Sequence, residues 1–416
     1  MSAVDVLVVG AGPAGSTVAE RLARQGHHVR LVEEHPRVGD PVQCAGLVSN
    51  RVLALARDTS FVRRPVRGAT VLAPSLAALR FAASEPRAFV IDREALDVAL
   101  AAKARGSGAE VTTGTKFEAR LSSTPEETTC RLVNETEGTI DEVRARIVVG
   151  ADGVSSAVAR AYRLRRPVEI LPAFEAEFQE SPGDPDQVEV YLGNSVAPGL
   201  FGWWIPDGNG GARIGVAVRA GRISAREYFQ RLLQQIERRA GRPLDPPHRY
   251  IVSGIPIGNV PSTSGDHVLL VGDAAAQVKP LSGGGIYTGM RCAEIAAEVI
   301  DRALHARDSS NSMLRTYDQA WRAEFGEEFR RALYLRRVLV RLSDEELESV
   351  VRSLQASELT ASIVAFGDID FPSHVARRLL RQSPSLLRLF PKAVRALWDS
   401  SGTAPDLEPG PFRQAM

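Results

Sequence analysis

Three short apolar runs, each breaking into a glycine-bearing turn, give the chain its first visible organisation. Asp5–Val9 reads DVLVV, Ile147–Gly150 reads IVVG and Val268–Val271 reads VLLV. Runs this short, without strict alternation and rich in β-branched residues, predict parallel strands buried on both faces. The first passes into Gly10-Ala11-Gly12-Pro13-Ala14-Gly15 and then into helically spaced apolar positions ending near Gln25. His28–Val32 predicts a second strand, closed by Glu33. The last run leads through Gly272-Asp273 to Gly283-Gly284-Gly285-Ile286, ahead of an apolar helix from about Tyr287 to Ala303.

Elsewhere the pattern changes. Within 166–262, β-prone stretches such as Gln187–Leu192 and Gly211–Ala217 predict an antiparallel sheet, which 68–90 is expected to join. Residues 310–398 read as helical. From Phe371 to Trp398 six basic residues (Arg377, Arg378, Arg381, Arg388, Lys392 and Arg395) are interleaved with leucines and no acid, and Pro384 and Pro391 break the run. Such a face suits an anionic membrane surface, and equally a solvated helix packed on a core. The expected architecture is α/β, α+β overall. A Rossmann-type nucleotide-binding domain covers 1–165, an antiparallel-sheet substrate domain 166–262, a return to the first domain 263–309, and a helical region 310–416.

Composition mostly excludes. A chain of 416 residues exceeds one compact core. A net charge of +1 gives no reason to expect nucleic acid. Cys44, Cys130 and Cys292 are too few and too scattered for a disulfide framework or a zinc site, so no metal is expected. No apolar run approaches the roughly 20 residues that span a bilayer, and the N-terminal run reads as strand and turn rather than a signal sequence. A cytoplasmic protein follows, with membrane contact no more than peripheral.

The turns carry the chemistry. In the first, Gly10 permits the tight bend, Gly12 lets the backbone approach a pyrophosphate, and Gly15 lets helix and strand pack closely. The helix N-terminus presents unpaired N–H groups to phosphate. Glu33, 23 residues after Gly10, stands where a carboxylate accepts from ribose hydroxyls, which favours the ADP-ribose of FAD or NAD over NADP. Asp273 can accept from a ribityl hydroxyl, and Gly283 to Gly285 let backbone amides approach a flat ring. Asp273 also suits a helix N-cap, and Asp152 a turn or cap.

Together GAGPAG, GADGVSS (Gly150–Ser156) and GDAAAQVKPLSGGGI (Gly272–Ile286) resemble the dinucleotide fingerprint and the DG and GD motifs of para-hydroxybenzoate-hydroxylase-fold flavoproteins. The resemblance implies FAD. Arg93, in VIDREALD, matches an arginine that contacts FAD in that group. Within it, Cys44-Ala45-Gly46 is similar to a cysteine motif beside the flavin in geranylgeranyl reductases. PGLFGWWIP (Pro198–Pro206) is similar to their PxxYxWxFP signature, with Phe201 for the tyrosine and Ile205 for the phenylalanine. LSDEE (Leu342–Glu346) and FGDIDFPS (Phe366–Ser373) are similar to the tail of archaeal-type members.

That family implies flavin contacts at Ala14, Glu33, Cys44, Ala45, Arg93, Asp273, Gly285 and Ile286, and the turns themselves add Gly10, Gly12, Gly15, Asp152 and Gly284 to the expected cofactor site. The family also implies substrate contacts at Phe201, Trp203 and Trp204. The expected reaction saturates C=C bonds of a geranylgeranyl chain on a lipid or quinone-like carrier. Cys44 donates the proton or shapes the flavin's face; a thiol of ordinary pKa near roughly 8.5 is mostly protonated at neutral pH. Electrons come from a ferredoxin, a deazaflavin, a quinol or NAD(P)H, since a second GxGxxG is not visible. Two rivals stand: a flavin monooxygenase, marked by an oxygen-dependent product, and a non-catalytic isoprenoid-binding escort, marked by loss of the cofactor.

Overall fold

The computed structural model describes residues 2–135, 137–180 and 183–383. Its first sheet runs Ser264–Gly265, Val268–Leu270, Thr139–Gly150, Ser2–Val9, Val29–Val32, Glu110–Thr112. From Val268–Leu270 to Glu110–Thr112 the pairings are parallel, with Val8 beside both Leu31 and Val149 and Gly150 beside Leu270. Alternation along Ser2–Val9 divides the packing. Val6 and Val8 enter a core shared with helices Pro13–Arg24, Ile286–Ala306 and Asn311–Leu339. Leu7 and Val9 enter a second core under the antiparallel strands Thr115–Ser123 and Thr128–Asn134. Layers on both sides explain why the strand is continuously apolar from Val6 to Val9 rather than alternating. Residues 124–127 form the turn of that hairpin, closed by Thr124 N–H donating to the Glu127 carbonyl at 2.8 Å.

The second sheet runs Arg249–Ile257, Glu169–Phe178, Ala212–Ala217, Phe201–Pro206, Gln187–Tyr191, Gly68–Leu72, Ala78–Ala82. Every pairing is antiparallel except Gln187–Tyr191 with Gly68–Leu72, which is parallel. Helix Ala225–Ala240 covers its outer face. A capping box at Ser224 and Glu227 starts that helix and left-handed Gly241 ends it. The inner face looks toward the glycine turns of the first sheet. A three-stranded sheet, Leu47–Val48, Ala88–Ile91 and Val62–Val66, lies alongside.

The helical region holds Asn311–Leu339, Asp344–Leu354, Ser357–Phe366 and Pro372–Gln382. LSDEE is a second capping box: Ser343 Oγ accepts from Glu346 N–H, while the Glu346 carboxylate accepts from Ser343 N–H. Of the expected basic face, Arg377, Arg378 and Arg381 lie on the last helix and are exposed; Arg388, Lys392, Arg395 and Trp398 lie outside the described residues. Among the described residues no helix is long and apolar enough to cross a membrane.

One expectation fails here. The resemblance puts both Trp203 and Trp204 against substrate, yet neighbours on a strand point to opposite faces. Trp203 faces inward with Ile205 and Ala173, whereas Trp204, 2% exposed, packs outward with Phe178, Ile214, Phe229 and Leu232 beneath helix Ala225–Ala240. Trp204→Ala is therefore expected to cost roughly 3–5 kcal/mol in denaturant unfolding, with the flavin spectrum of the folded fraction unchanged.

Candidate functional site

Between the two sheets lies a cavity of about 980 Å³. Its floor is built from the three glycine turns. Gly10, Gly12 and Ala14, Glu33, Cys44 and Ala45, Arg93, Asp152, Asp273, Gly284, Gly285 and Ile286 all line it, as do Phe201 and Trp203 from the roof. Of the expected residues, Gly15 and Trp204 do not. Gly15 serves packing: a Cβ there would sit 2.0 Å from the Gly10 carbonyl oxygen. A Cβ on Gly12 would meet no protein atom within 4 Å, so this residue borders open cavity.

The charged groups differ in how far they are already engaged. Glu33 Oε2 accepts from Ala11 N–H at 2.8 Å, and Oε1 meets His35 Nδ1 at 2.6 Å. The carboxylate thus ties the fingerprint turn to the end of the second strand. Asp152 is more fully committed: Ser156 Oγ (2.6 Å) and Val158 N–H (3.0 Å) donate to its two oxygens, so it braces the first turn of the short helix Ala157–Ala161, whose N-cap is Ser156. Asp273 is the opposite case. Its carboxylate lies against Gly285, no donor reaches it among the described residues, and it caps no helix. Burial, opposed by the nearby Arg93 charge, pushes its pKa up to about 6. Arg93 opens helix Arg93–Gly106 just after the N-cap Asp92; it donates to Asp97 at 2.7 Å and also meets the Cys44 side chain.

Three site residues escaped the sequence reading. Arg213, 3% exposed, crosses from the roof to donate to the carbonyls of Ala45 (2.9 Å) and Ile91 (3.1 Å), and its Nε donates to Glu177 at 3.2 Å. A Cβ on Gly46 would lie 2.3 Å from the guanidinium, so the glycine of Cys-Ala-Gly makes room for this arginine. Lys279, 5% exposed, lines the cavity and pairs with Asp370 at 2.8 Å. Glu175 lines the roof, takes the Trp203 indole N–H at 2.6 Å, and is pushed up to about 7, chiefly by burial. The available signal was a lone charge in an otherwise apolar strand or loop for Arg213 and Lys279, and a pair of glutamates in a strand of apolar residues for Glu175. Such a residue, once buried, has to be paired or neutral.

The comparisons with known proteins decide among the flavoproteins of this fold. A family model described as an FAD binding domain matches residues 3–331. A digeranylgeranylglycerophospholipid reductase of Methanothermobacter thermautotrophicus is 33% identical over 392 residues, 92% of this chain and 98% of that one. Another, from Methanocaldococcus jannaschii, is 31% identical over 93% of this chain and 97% of its own length. This chain belongs to the digeranylgeranylglycerophospholipid reductase family. Among solved structures, a geranylgeranyl bacteriochlorophyll reductase-like protein of Thermoplasma acidophilum superposes with a TM-score of 0.81 at 25% identity, covering 93% of this chain and all of its own. A flavin-dependent halogenase at 19% identity and TM-score 0.69 shares the fold alone.

The cofactor of this reductase-family chain is FAD, and the cavity fits it. The open face of Gly12 and the half-buried Asp273 carboxylate, without a donor among the described residues, are two features that a bound dinucleotide would satisfy. The glycines then separate by experiment. Gly12→Ala, at extended backbone angles open to any residue, is expected to leave apoprotein stability within about 0.5 kcal/mol while blocking FAD uptake. Gly15→Ala is expected to cost roughly 3 kcal/mol or more through overpacking. Thermal melts of stripped protein, followed by flavin titration, read both.

Proposed function

We propose that this chain saturates C=C bonds in the geranylgeranyl chains of a glycerophospholipid or a similar isoprenoid carrier. The observation that carries the reading is the end-to-end match to reductases named for that lipid, 33% identical over 92% of this chain. The reduced FAD supplies the hydride.

The residues around it do the rest. Gly10, Gly12 and Ala14 hold the pyrophosphate against the helix N-terminus, and Glu33 the ribose. Asp273 accepts from the ribityl chain. Arg93, Ala45 and Gly284 to Ile286 frame the ring. Asp152 contributes by fixing the turn between strand Thr139–Gly150 and the next helix. Phe201 and Trp203, lining the cavity from the roof, would hold the isoprenoid beside the bound flavin and keep water out, because an unactivated alkene needs precise placement and a dry site. Cys44 shapes the wall beside the ring. Its sulfur is 3.4 Å from the Gly46 N–H and also meets Arg93.

The electrons that reload the flavin come from a ferredoxin, a deazaflavin, a quinol or NAD(P)H. The exposed arginines of helix Pro372–Gln382 make peripheral contact with anionic lipid, which brings the enzyme to its substrate. Co-sedimentation with anionic vesicles, reversed by salt, is the expected sign; equal recovery with neutral vesicles contradicts it.

Product mass tests the reaction. Incubated under argon with a chemical reductant, a geranylgeranyl lipid should gain about two mass units per saturated bond. A product heavier by one oxygen, formed only in air, would mark a monooxygenase instead. Cys44→Ala should keep its flavin and lose less than about tenfold in turnover. A loss of roughly 10²–10⁴-fold would make the thiol the acid.

A further inference from the structure

The saturated carbon that does not receive hydride needs a proton, and the cavity wall contains an acid suited to hold one. Strand Glu169–Phe178 puts Glu175 and Glu177 on the same face, two residues apart. Their surroundings differ. Glu177 is answered by Arg213 at 3.2 Å and by His248 at 3.6 Å. Glu175 faces the cavity, 3% exposed; its Oε2 accepts the Trp203 indole N–H at 2.6 Å, and its Oε1 is buried without a partner among the described residues.

An ionised carboxylate with one oxygen unanswered in an apolar wall is costly, whereas the neutral acid fits. Its carbonyl oxygen takes the indole hydrogen and the proton sits on Oε1. The charges around it are few. Arg213 on strand Ala212–Ala217 favours ionisation and Glu177 opposes it, while burial outweighs both and lifts the group to about 7. Strand Arg249–Ile257 puts uncharged Ile251 opposite Glu175, and its Arg249 lies opposite Glu177. Trp203, which fixes the acid, shares its cluster with Ala45 of the flavin-side turn.

We propose that Glu175 is the proton source for alkene reduction, delivering the Oε1 proton to the carbon that takes no hydride. This rests on the reductase reading given above. The C=C π bond breaks and two C–H bonds form, one with hydride carried by reduced FAD and one with the proton of Glu175. The flavin is left oxidised by two electrons, and the carboxylate regains its proton from water.

The test joins a spectrum to a rate. Infrared titration of the FAD-loaded protein should show a carboxylic-acid C=O band that fades as pH rises through about 7 and is missing from Glu175→Gln. In oxygen-free single turnovers with a geranylgeranyl glycerophospholipid, Glu175→Gln should slow saturation by roughly 10²–10⁴-fold with lipid affinity kept, since its amide oxygen still accepts from Trp203. The wild-type rate should fall above about pH 7. Trp203→Phe removes the hydrogen bond that favours the ionised form, so it should move both the band and the rate limb to higher pH; it carries the test if the Gln variant loses its flavin. A wild type that saturates the lipid beside an equally fast Glu175→Gln, or an acid band indifferent to both substitutions, overturns the proposal. A wild type that never saturates the lipid overturns the reductase reading, and this proposal with it, even where the band is present.

Discussion

The site depends on one buried cation that ties its roof to its floor. Arg213 rises from the middle of the second sheet, and its guanidinium ends on the carbonyls of Ala45 and Ile91. Ala45 belongs to the turn that would run along the flavin ring. Ile91 precedes Asp92, which caps the helix opened by Arg93. A single side chain therefore sets the height of the roof, the course of the Cys-Ala-Gly turn and the start of the helix that carries an expected flavin contact. Buried at 3% exposure, it is tolerable because Glu177 neutralises it through Nε and two carbonyls accept from Nη1. Gly46 is the matching concession, since any side chain there would occupy the guanidinium's space.

A second charged cluster closes the cavity from the C-terminal side. Asp370, 1% exposed, receives Lys279 at 2.8 Å and Arg51 at 3.0 Å, and Arg51 also grips Asp368 at 2.8 Å. Phe371 follows and stacks on Phe325 and His374. The acidic pair of FGDIDFPS thus docks the helical region onto helix Asn50–Ala56 through Arg51 and, through Asp370 and Lys279, onto the turn that carries Asp273. Gly367, Asp368 and Ile369 become part of the cavity wall as a result. Truncating Lys279 alone would still leave Asp370 its Arg51 partner, so the latch is doubly held.

Much of this was legible in the chain. The three apolar runs, their turns and the helices after them are local: strand length, glycine position and cap chemistry are decided within a few residues. Family membership was legible for the same reason, because the phosphate and flavin turns are contiguous motifs. What sequence did not disclose is what arises between distant strands. The adjacent tryptophans looked equivalent until alternation sent Trp204 to the outer core. Asp152 looked like a ligand-facing acid, yet Ser156 and Val158 take up its oxygens. Arg213 and Lys279 each stand alone in apolar stretches, Glu175 shares its strand with Glu177, and only tertiary pairing shows why charges are tolerated there. That 68–90 joins the second sheet was legible, but the parallel sense of the pairing of Gly68–Leu72 with Gln187–Tyr191, more than a hundred residues away, was not.

The fold is shared with oxygen-using flavoenzymes, so the architecture alone does not separate a reductase from a hydroxylase. What separates them is the acceptor of the flavin's electrons: an alkene held dry beneath Trp203, or oxygen. The most direct measurement is stopped-flow mixing of the chemically reduced, FAD-loaded protein with a geranylgeranyl lipid in the absence of oxygen, following flavin absorbance. The account predicts that the lipid alone reoxidises the flavin, in step with the double bonds lost. A flavin that stays reduced beside the lipid and reoxidises only when air is admitted would contradict it.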